Sequence, residues 1–228
     1  MTAFKKPFPH LILKNFYDKK DLDLIWEELS FYTKPGKLFE AKDFGGVVGK
    51  TNSHAIVLDL LYSPKFRSIS NILNVNRKAL DPDTLKEFSE LDESCNDAIS
   101  INNDVTKVRY YHDKEYYKPH IDSNFQFLSF SYFYKEPKKF SGGDLFFPEH
   151  DYKYECDNNS VIVFPANIKH GVSEVHINNS DYYEGHGRYC ISNFFSKVTE
   201  KIETKVVTKT FATIEETLAY YKQLSKSN

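Results

Sequence analysis

The 228-residue chain has little of several features that would assign it to a class at once. It has three cysteines, Cys95, Cys156 and Cys190, which are odd in number and scattered. This set predicts free thiols in a reducing, cytoplasmic compartment rather than a disulfide framework. No apolar run approaches the roughly 18 residues of a membrane span, and no apolar stretch follows residues 1–7. We therefore expect neither a membrane anchor nor a secretion signal.

The chain also lacks a strong excess of either charge and a recognisable linker. Its formal net charge is −2 and its pI is near 6.5, which argues against nucleic acid as a partner. No Pro-, Gly- or Ser-rich linker and no internal repeat interrupts it, so we predict a single domain over residues 1–228. Aromatic residues are abundant instead, with 19 Phe and 16 Tyr, which is enough for a sizeable core. Nothing in the composition predicts an oligomeric state.

The first part of the chain, residues 1–97, predicts a helical support with one initial strand. One helix is expected to start at Ser63-Pro64 and to continue to about residue 79, with Phe66, Ile69, Ile72 and Leu73 on its inner side. Residues 34–53 contain four glycines and few apolar anchors, and we interpret them as a loop or a loose hairpin.

From residue 98 to residue 200 the pattern changes to short strands rich in aromatic and β-branched residues. The predicted strands are 98–101, 105–112, 119–121, 125–134, 143–147, 160–164, 171–177 and 189–195. This number of short strands predicts a mainly β core with flanking helices, built as a barrel or a double-sheet jelly roll. Thr213 with Glu216 forms a capping box that predicts a final helix over residues 213–225.

The tripeptide His120-Ile-Asp122 is the most informative motif. Residues two apart on a strand point to the same face, so imidazole and carboxylate would lie side by side. This donor pair suits a divalent transition metal. His170, which follows an apolar strand, would complete a face of two histidines and one carboxylate, and such a face leaves positions open in an octahedral site.

Other histidines and another metal compete with this interpretation. The rival third ligands are His150, His176 and His186. His176 lies six residues beyond His170, about 20 Å along one strand, so these two cannot share an ion. Catalytic zinc more often takes three histidines, or two with a glutamate, but the ligand types alone do not exclude zinc.

Five ordered motifs then point to a family. They are Y-H-D-K-E-Y-Y-K-P-H-I-D at 111–122, L-S-F-S-Y at 128–132, G-G-D-L-F-F at 142–147, V-I-V-F-P followed by H-G-V between 161 and 172, and G-R-Y-C-I-S-N-F at 187–194. Over residues 108–197 the chain resembles the 2-oxoglutarate, Fe(II)-dependent dioxygenases of the prolyl 4-hydroxylase type.

The resemblance implies a double-stranded β-helix core and an iron centre. His120, Asp122 and His170 would be the iron ligands. The implied enzyme converts 2-oxoglutarate and O2 to succinate and CO2 while it hydroxylates a C–H bond. Ascorbate is a candidate accessory reductant.

The resemblance also implies the residues that bind the cosubstrate. Arg188 would pair with the distal carboxylate of 2-oxoglutarate, because a guanidinium presents a planar fork to two oxygens. Ser192 and Tyr111 would add hydroxyl groups to the same pocket. Two departures from the family pattern are expected. Residues 178–185 form a long hairpin tip before Arg188, and Phe133 occupies the position of a family tyrosine.

A prolyl residue of a peptide or protein is the substrate that the resemblance favours. The peptide would lie in a groove under residues 36–49. A free amino acid or another small molecule is the alternative substrate. From other classes, a jelly-roll binding module that holds metal without catalysis and a zinc hydrolase remain open.

Overall fold

The computed structural model describes residues 1–43 and 49–198. The chain divides into a first unit, Met1–Lys197, and a second unit, Val198–Asn228. The fold described here is that of the first unit. The predicted helix over residues 213–225 lies outside the described residues.

Fifteen strands and four α-helices make up the described part of the chain. The strands are β1 Thr2–Phe4, β2 His10–Lys14, β3 Phe39–Glu40, β4 Thr51–Asn52, β5 His54–Val57, β6 Asn103–Tyr111, β7 Tyr116–His120, β8 Phe127–Phe133, β9 Phe140–Gly142, β10 Leu145–Phe147, β11 Tyr152–Tyr154, β12 Ser160–Pro165, β13 His170–Val172, β14 Val175–Ile177 and β15 Arg188–Ser196. The helices are α1 Lys19–Tyr32, α2 Leu58–Leu61, α3 Asn71–Val75 and α4 Pro82–Ser89. None of these described helices is long and apolar enough to span a membrane.

The strands form two principal sheets. The larger sheet has eight strands in the order β1-β2-β12-β8-β15-β6-β5-β3, and the smaller has five in the order β11-β10-β13-β7-β4. Neighbouring strands are antiparallel throughout, and β9 pairs separately with β14. This arrangement confirms the predicted mainly β fold with a double-sheet core.

The larger sheet is buried on both faces. Along β8, Leu128, Phe130 and Tyr132 pack into one apolar cluster with residues of the smaller sheet. Phe127 and Phe133 point the opposite way and pack into a second cluster with the helices. Because successive side chains of a strand alternate, one strand contributes to both cores. The site lies on the side that faces the smaller sheet.

The helical support begins with α1, which Asp18 caps by accepting a hydrogen bond from the Asp21 amide, 2.9 Å away. The single helix expected after Ser63 is wrong. The segment is a 3₁₀ turn, Pro64–Ile69, and α3 restarts where the Ser70 hydroxyl accepts from the Leu73 amide. A serine that binds nearby backbone in this way interrupts a helix.

Two further sequence expectations in the support are also wrong. Phe66 and Ile69 are 50% and 67% exposed, so neither lies on an inner face, whereas Ile72 and Leu73 are buried as expected. Residues 98–101 are not a strand, because most of them belong to a 3₁₀ helix, Glu93–Ser100, that starts at the cap Asp92. The short strands β3 and β4 lie within the expected loop 34–53, and they pair with the larger and the smaller sheet respectively.

Candidate active site

A cavity of about 420 Å³, counted to its mouth, lies between the two sheets. The larger sheet contributes side chains from β6, β8 and β15, and the smaller sheet contributes side chains from β7 and β13. The strand pairing of both sheets therefore decides which residues meet.

The smaller sheet brings the predicted metal face together. His120 ends β7 and His170 begins β13, and the two are direct partners in the antiparallel register. Asp122 lies just beyond β7, where its backbone amide donates to the Ala166 carbonyl, 3.1 Å away. The Asp122 Oδ2 atom is 3.7 Å from His120 Nε2 and 3.5 Å from His170 Nε2. One ligand atom from each residue therefore lies within 4.8 Å of the other two.

Backbone carbonyls fix the orientation of both imidazoles. His120 Nδ1 is 3.0 Å from the Lys118 carbonyl and His170 Nδ1 is 3.0 Å from the Ile168 carbonyl. A carbonyl can only accept, so each Nδ1 carries the proton and each Nε2 presents its lone pair to the centre. Hydrogen bonds of this kind orient the histidine ligands of metal sites.

The electrostatics of these groups suit a cation. Burial lowers the pKa of His170. The pKa of His120 is also lowered, chiefly by burial and next by the charge of the neighbouring His170. Both effects favour neutral imidazoles. Neutral imidazole is the form that binds metal. Asp122 Oδ2 is buried without a hydrogen-bond partner among the described residues. Two nitrogen lone pairs and an orphaned carboxylate oxygen fit a divalent ion such as Fe(II).

The rival histidines lie elsewhere. The His150 ring packs against the Phe8 ring, with the centroids 4.9 Å apart, and His186 Nδ1 is 3.0 Å from the Lys135 carbonyl oxygen. His176 is exposed beside Glu174. Among the described residues, none of these three histidines belongs to a cluster that could hold a metal.

Arg188 begins β15 and extends into the same cavity with 2% of its surface exposed. Its Nε donates to the Gly143 carbonyl at 2.5 Å, and its Cζ lies 4.4 Å from the Tyr111 ring centroid. The Nη1 atom is buried and has no hydrogen-bond partner within the described ranges. A buried cationic donor without a partner is costly, so this atom indicates the position of an anion.

Gly143 lets Arg188 take this position. Its φ is +71°, and a Cβ built there would lie 2.5 Å from Arg188 Cδ. No other residue type would combine this backbone conformation with that close approach.

Hydroxyl groups surround the guanidinium. Tyr111 is paired with Arg188 across β6 and β15, and Ser192 lies four residues further along β15 on the same face. Burial raises the pKa of the Tyr111 hydroxyl, whereas Arg188 lowers it. Ser192 Oγ is 3.5 Å from Cys190 Sγ. The structure therefore places all three predicted cosubstrate residues on one wall of the cavity.

Tyr132 is a further residue of this wall, and it corrects the expectation about Phe133. Phe133 points to the helical side, where its ring lies 5.7 Å from that of Tyr17. Tyr132 lines the cavity, and its buried hydroxyl has no hydrogen-bond partner in the described part of the chain. The cavity thus retains a tyrosine hydroxyl from β8. The sequence signal for this residue was the tyrosine that ends the 128–132 motif.

Two cations on β6 were not predicted from the sequence. Lys107 and Arg109 alternate with Tyr111, so all three line the cavity. Arg109 is 6% exposed, and its Nη1 lacks a partner within residues 1–43 and 49–198. Burial, and then the charge of Arg109, lowers the pKa of Lys107 to about 8. The signal was the K-x-R-x-Y spacing over residues 107–111, which leads into the first motif.

Comparison with known proteins agrees with this geometry. Residues 106–196 match the family model described as the 2OG-Fe(II) oxygenase superfamily. No curated protein matches the chain in a sequence search.

Solved structures share the fold at low identity. A Pseudomonas putida prolyl-4-hydroxylase has a TM-score of 0.54 at 12% identity, over 83% of this chain and 92% of its own. A Trichoplax adhaerens prolyl hydroxylase, solved with a hypoxia inducible factor peptide fragment, has a TM-score of 0.53 at 13% identity, over 82% of each chain. An oxidoreductase of the 2OG-Fe(II) oxygenase family from Burkholderia pseudomallei has a TM-score of 0.53 at 14% identity, over 82% of this chain and 84% of its own.

Proposed function

We propose that this chain, whose residues 106–196 match the 2OG-Fe(II) oxygenase superfamily, is such an oxygenase and hydroxylates a prolyl residue of a peptide or protein. One observation carries the assignment of its site. The metal-binding atoms of His120, Asp122 and His170 converge in the cavity that also holds the Nη1 of Arg188, which has no hydrogen-bond partner among the described residues. A cation site and an anion site therefore share one cavity.

In this proposal His120, Asp122 and His170 hold Fe(II), and the bound metal with 2-oxoglutarate and O2 supplies the oxidising chemistry. The two imidazoles offer Nε2 because backbone carbonyls hold the proton on Nδ1. The remaining positions around the ion stay open to small ligands, which is the property of a face of two histidines and one carboxylate.

Arg188 binds the distal carboxylate of 2-oxoglutarate through its unpartnered Nη1, with Tyr132 and Tyr111 as hydroxyl donors and Ser192 on the same wall. Aromatic side chains enclose the site, including Phe130, whose ring lies 5.7 Å from that of His170. This enclosure keeps bulk water from the reacting atoms. Ascorbate would act as an accessory reductant, and a cytoplasmic location would suit the free thiols.

The prolyl substrate rests on weaker support than the cofactors. The fold is shared with proteins named as prolyl hydroxylases, one of which was solved with a peptide fragment. Residues 49–53 adjoin the smaller sheet through β4, beside the strand that carries His120. A peptide crossing this edge would reach the open side of the metal face.

The proposal is tested by turnover of proline-rich peptides. Protein loaded anaerobically with Fe(II) is supplied with 2-oxoglutarate, O2 and peptide, and succinate and the peptide mass are measured. We expect peptide-stimulated succinate and a peptide product heavier by one oxygen. Asp122→Ala should abolish both signals. Stoichiometric succinate without a modified peptide would exclude the prolyl substrate, and no binding of 2-oxoglutarate would favour the non-catalytic binding module.

A free amino acid or another small anionic molecule is the second candidate substrate, and Arg109 favours it. Arg109 lines the cavity, and its buried Nη1 has no hydrogen-bond partner among the described residues. In this alternative Arg109 pairs with a carboxylate of the substrate, while Arg188 pairs with 2-oxoglutarate.

Matched acid and amide pairs separate the two candidates. If the substrate supplies a carboxylate, L-proline should stimulate succinate release and L-prolinamide should not. Arg109→Gln should then remove that difference while the affinity for 2-oxoglutarate stays the same. A loss of 2-oxoglutarate affinity in Arg109→Gln would instead assign Arg109 to the cosubstrate.

A further inference from the structure

A second group of metal-binding side chains lies outside the cavity. His54 begins β5, His112 directly follows β6, and Glu115 directly precedes β7. The oxygenase function proposed above uses none of them. His120 lies five residues beyond Glu115, at the far end of β7, which is about 16 Å along the strand. The two groups therefore cannot share an ion.

Three donor atoms of this group form a nearly equilateral triangle. His54 Nδ1 is 2.7 Å from Glu115 Oε1, His112 Nδ1 is 3.1 Å from the same oxygen, and the two Nδ1 atoms are 3.1 Å apart. Ligands bound at about 2.1 Å around an ion lie about 3.0 Å apart at right angles and about 3.4 Å apart at the tetrahedral angle. The triangle thus has the dimensions of three adjacent positions of an octahedral site, and a tetrahedral ion would spread it by less than about 1 Å.

The surrounding contacts leave the three donor atoms facing one another. His112 Nε2 is 2.5 Å from the Tyr183 hydroxyl, and the second carboxylate oxygen of Glu115 accepts from the His112 backbone amide at 2.9 Å. With the proton of His112 on Nε2, its Nδ1 lone pair points at the triangle. A hydrogen bond to the far nitrogen is the usual support of a histidine ligand.

Burial of the group suits a bound ion with access to solvent. The Glu115 side chain is 8% exposed, the His112 side chain 15% and the His54 side chain 30%. The carboxylate is thus removed from water, whereas the His54 side leaves room for a ligand from solution.

We propose that His54, His112 and Glu115 form a second metal site, which takes a divalent transition ion of the Zn(II) class. Two histidines and one glutamate are an established donor set for zinc. The ion would join the ends of β5 and β6 to the start of β7, and through Tyr183 it would include the turn before β15. It stabilises the framework that ends at His120 and takes no part in turnover.

The test counts metal equivalents in the full chain. Metal-free protein is titrated anaerobically with Co(II), followed by its visible absorption, and the bound metal is measured after dialysis. Wild-type protein should bind two equivalents. His170→Ala should keep the equivalent of the second site, and His54→Ala should keep the equivalent of the first.

Matched variants make the count decisive. His176→Ala removes an exposed histidine, 57% exposed at its side chain, and should still bind two equivalents. Glu115→Gln should also lose the second metal equivalent, and it keeps the size of the side chain in case His54→Ala fails to fold. Tyr183→Phe should weaken the second equivalent roughly 10- to 100-fold and leave the first unchanged.

Thermal unfolding gives a second readout that is independent of activity. Added Zn(II) should raise the melting temperature of His170→Ala but not that of His54→Ala with His170→Ala combined. A single equivalent in the wild-type protein that His54→Ala retains, or a second equivalent that survives both His54→Ala and Glu115→Gln, would overturn the proposal. A single equivalent that His170→Ala retains and His54→Ala loses would instead support the second site and count against the iron site.

Discussion

The affinity for 2-oxoglutarate should depend on one buried guanidinium. Arg188 is 2% exposed, and its Nη1 is the donor that lacks a partner in the described chain. Arg188→Ala would leave the distal carboxylate of the bound cosubstrate buried and unpaired, which costs about 3–5 kcal/mol. The dissociation constant should therefore rise roughly 10²- to 10⁴-fold.

Isothermal titration with Mn(II) in place of iron measures this affinity without turnover. Arg188→Lys keeps the charge but loses the donor to the Gly143 carbonyl, so its affinity should fall between the wild-type and alanine values. Arg77→Ala is the control, because the Arg77 side chain is 42% exposed and lies outside the cavity. Binding of Mn(II) alone should stay the same in all three variants. A change of less than threefold in a folded Arg188→Ala protein would refute the assignment.

Three further predictions concern the metal face, the backbone and the thiols. His120→Ala and His170→Ala should each reduce iron-dependent succinate formation to background, and full turnover by either would remove that residue from the ligand set. Gly143→Ala should raise the KM for 2-oxoglutarate at least about tenfold, because its Cβ would displace Arg188. Gly36→Ala is the control: it carries similar backbone strain at φ +75°, but its Cβ would have no atom within 4 Å, so KM should stay unchanged. Burial raises the pKa of every cysteine thiol, that of Cys95 to about 11, so the thiols stay protonated at pH 8. They should therefore resist iodoacetamide until the protein unfolds, as mass spectrometry would show. Rapid alkylation of the native protein would contradict this.

Much of the β core could be predicted from the sequence because its strands are short, aromatic and separated by turn residues. The pairing of His120 with His170 could also be expected, since both lie at strand ends with fixed local geometry. The prediction of a strand at 98–101 was wrong because the local cap at Asp92 favours a 3₁₀ helix over the strand that the β-branched pattern indicated. The prediction of one continuous helix after Ser63 was wrong because the Ser70 hydroxyl accepts from a backbone amide and so interrupts the helix.

The cavity wall was harder to predict for a different reason. Every residue of β8 is buried, so hydrophobicity does not tell which alternate set faces which core. Only the register with β15 shows that Tyr132, and not Phe133, faces the site. Lys107 and Arg109 were overlooked for a related reason, because charged residues on a strand ordinarily indicate a solvent face. The second histidine group joins three separate strands, and no spacing rule predicts it.

The hydrogen bonds from His120 and His170 to carbonyls two residues earlier have a consequence for how metal is acquired. Each ring is held by its own stretch of backbone, so the lone pairs converge before any ion arrives. Uptake of the ion then requires no rotation of either ring and no transfer of a proton between its nitrogens. The pre-oriented ligands impose little geometric selection among divalent ions. The intrinsic affinity of each ion for two nitrogens and one carboxylate, together with its free concentration in the cell, would then decide how much of the protein is active.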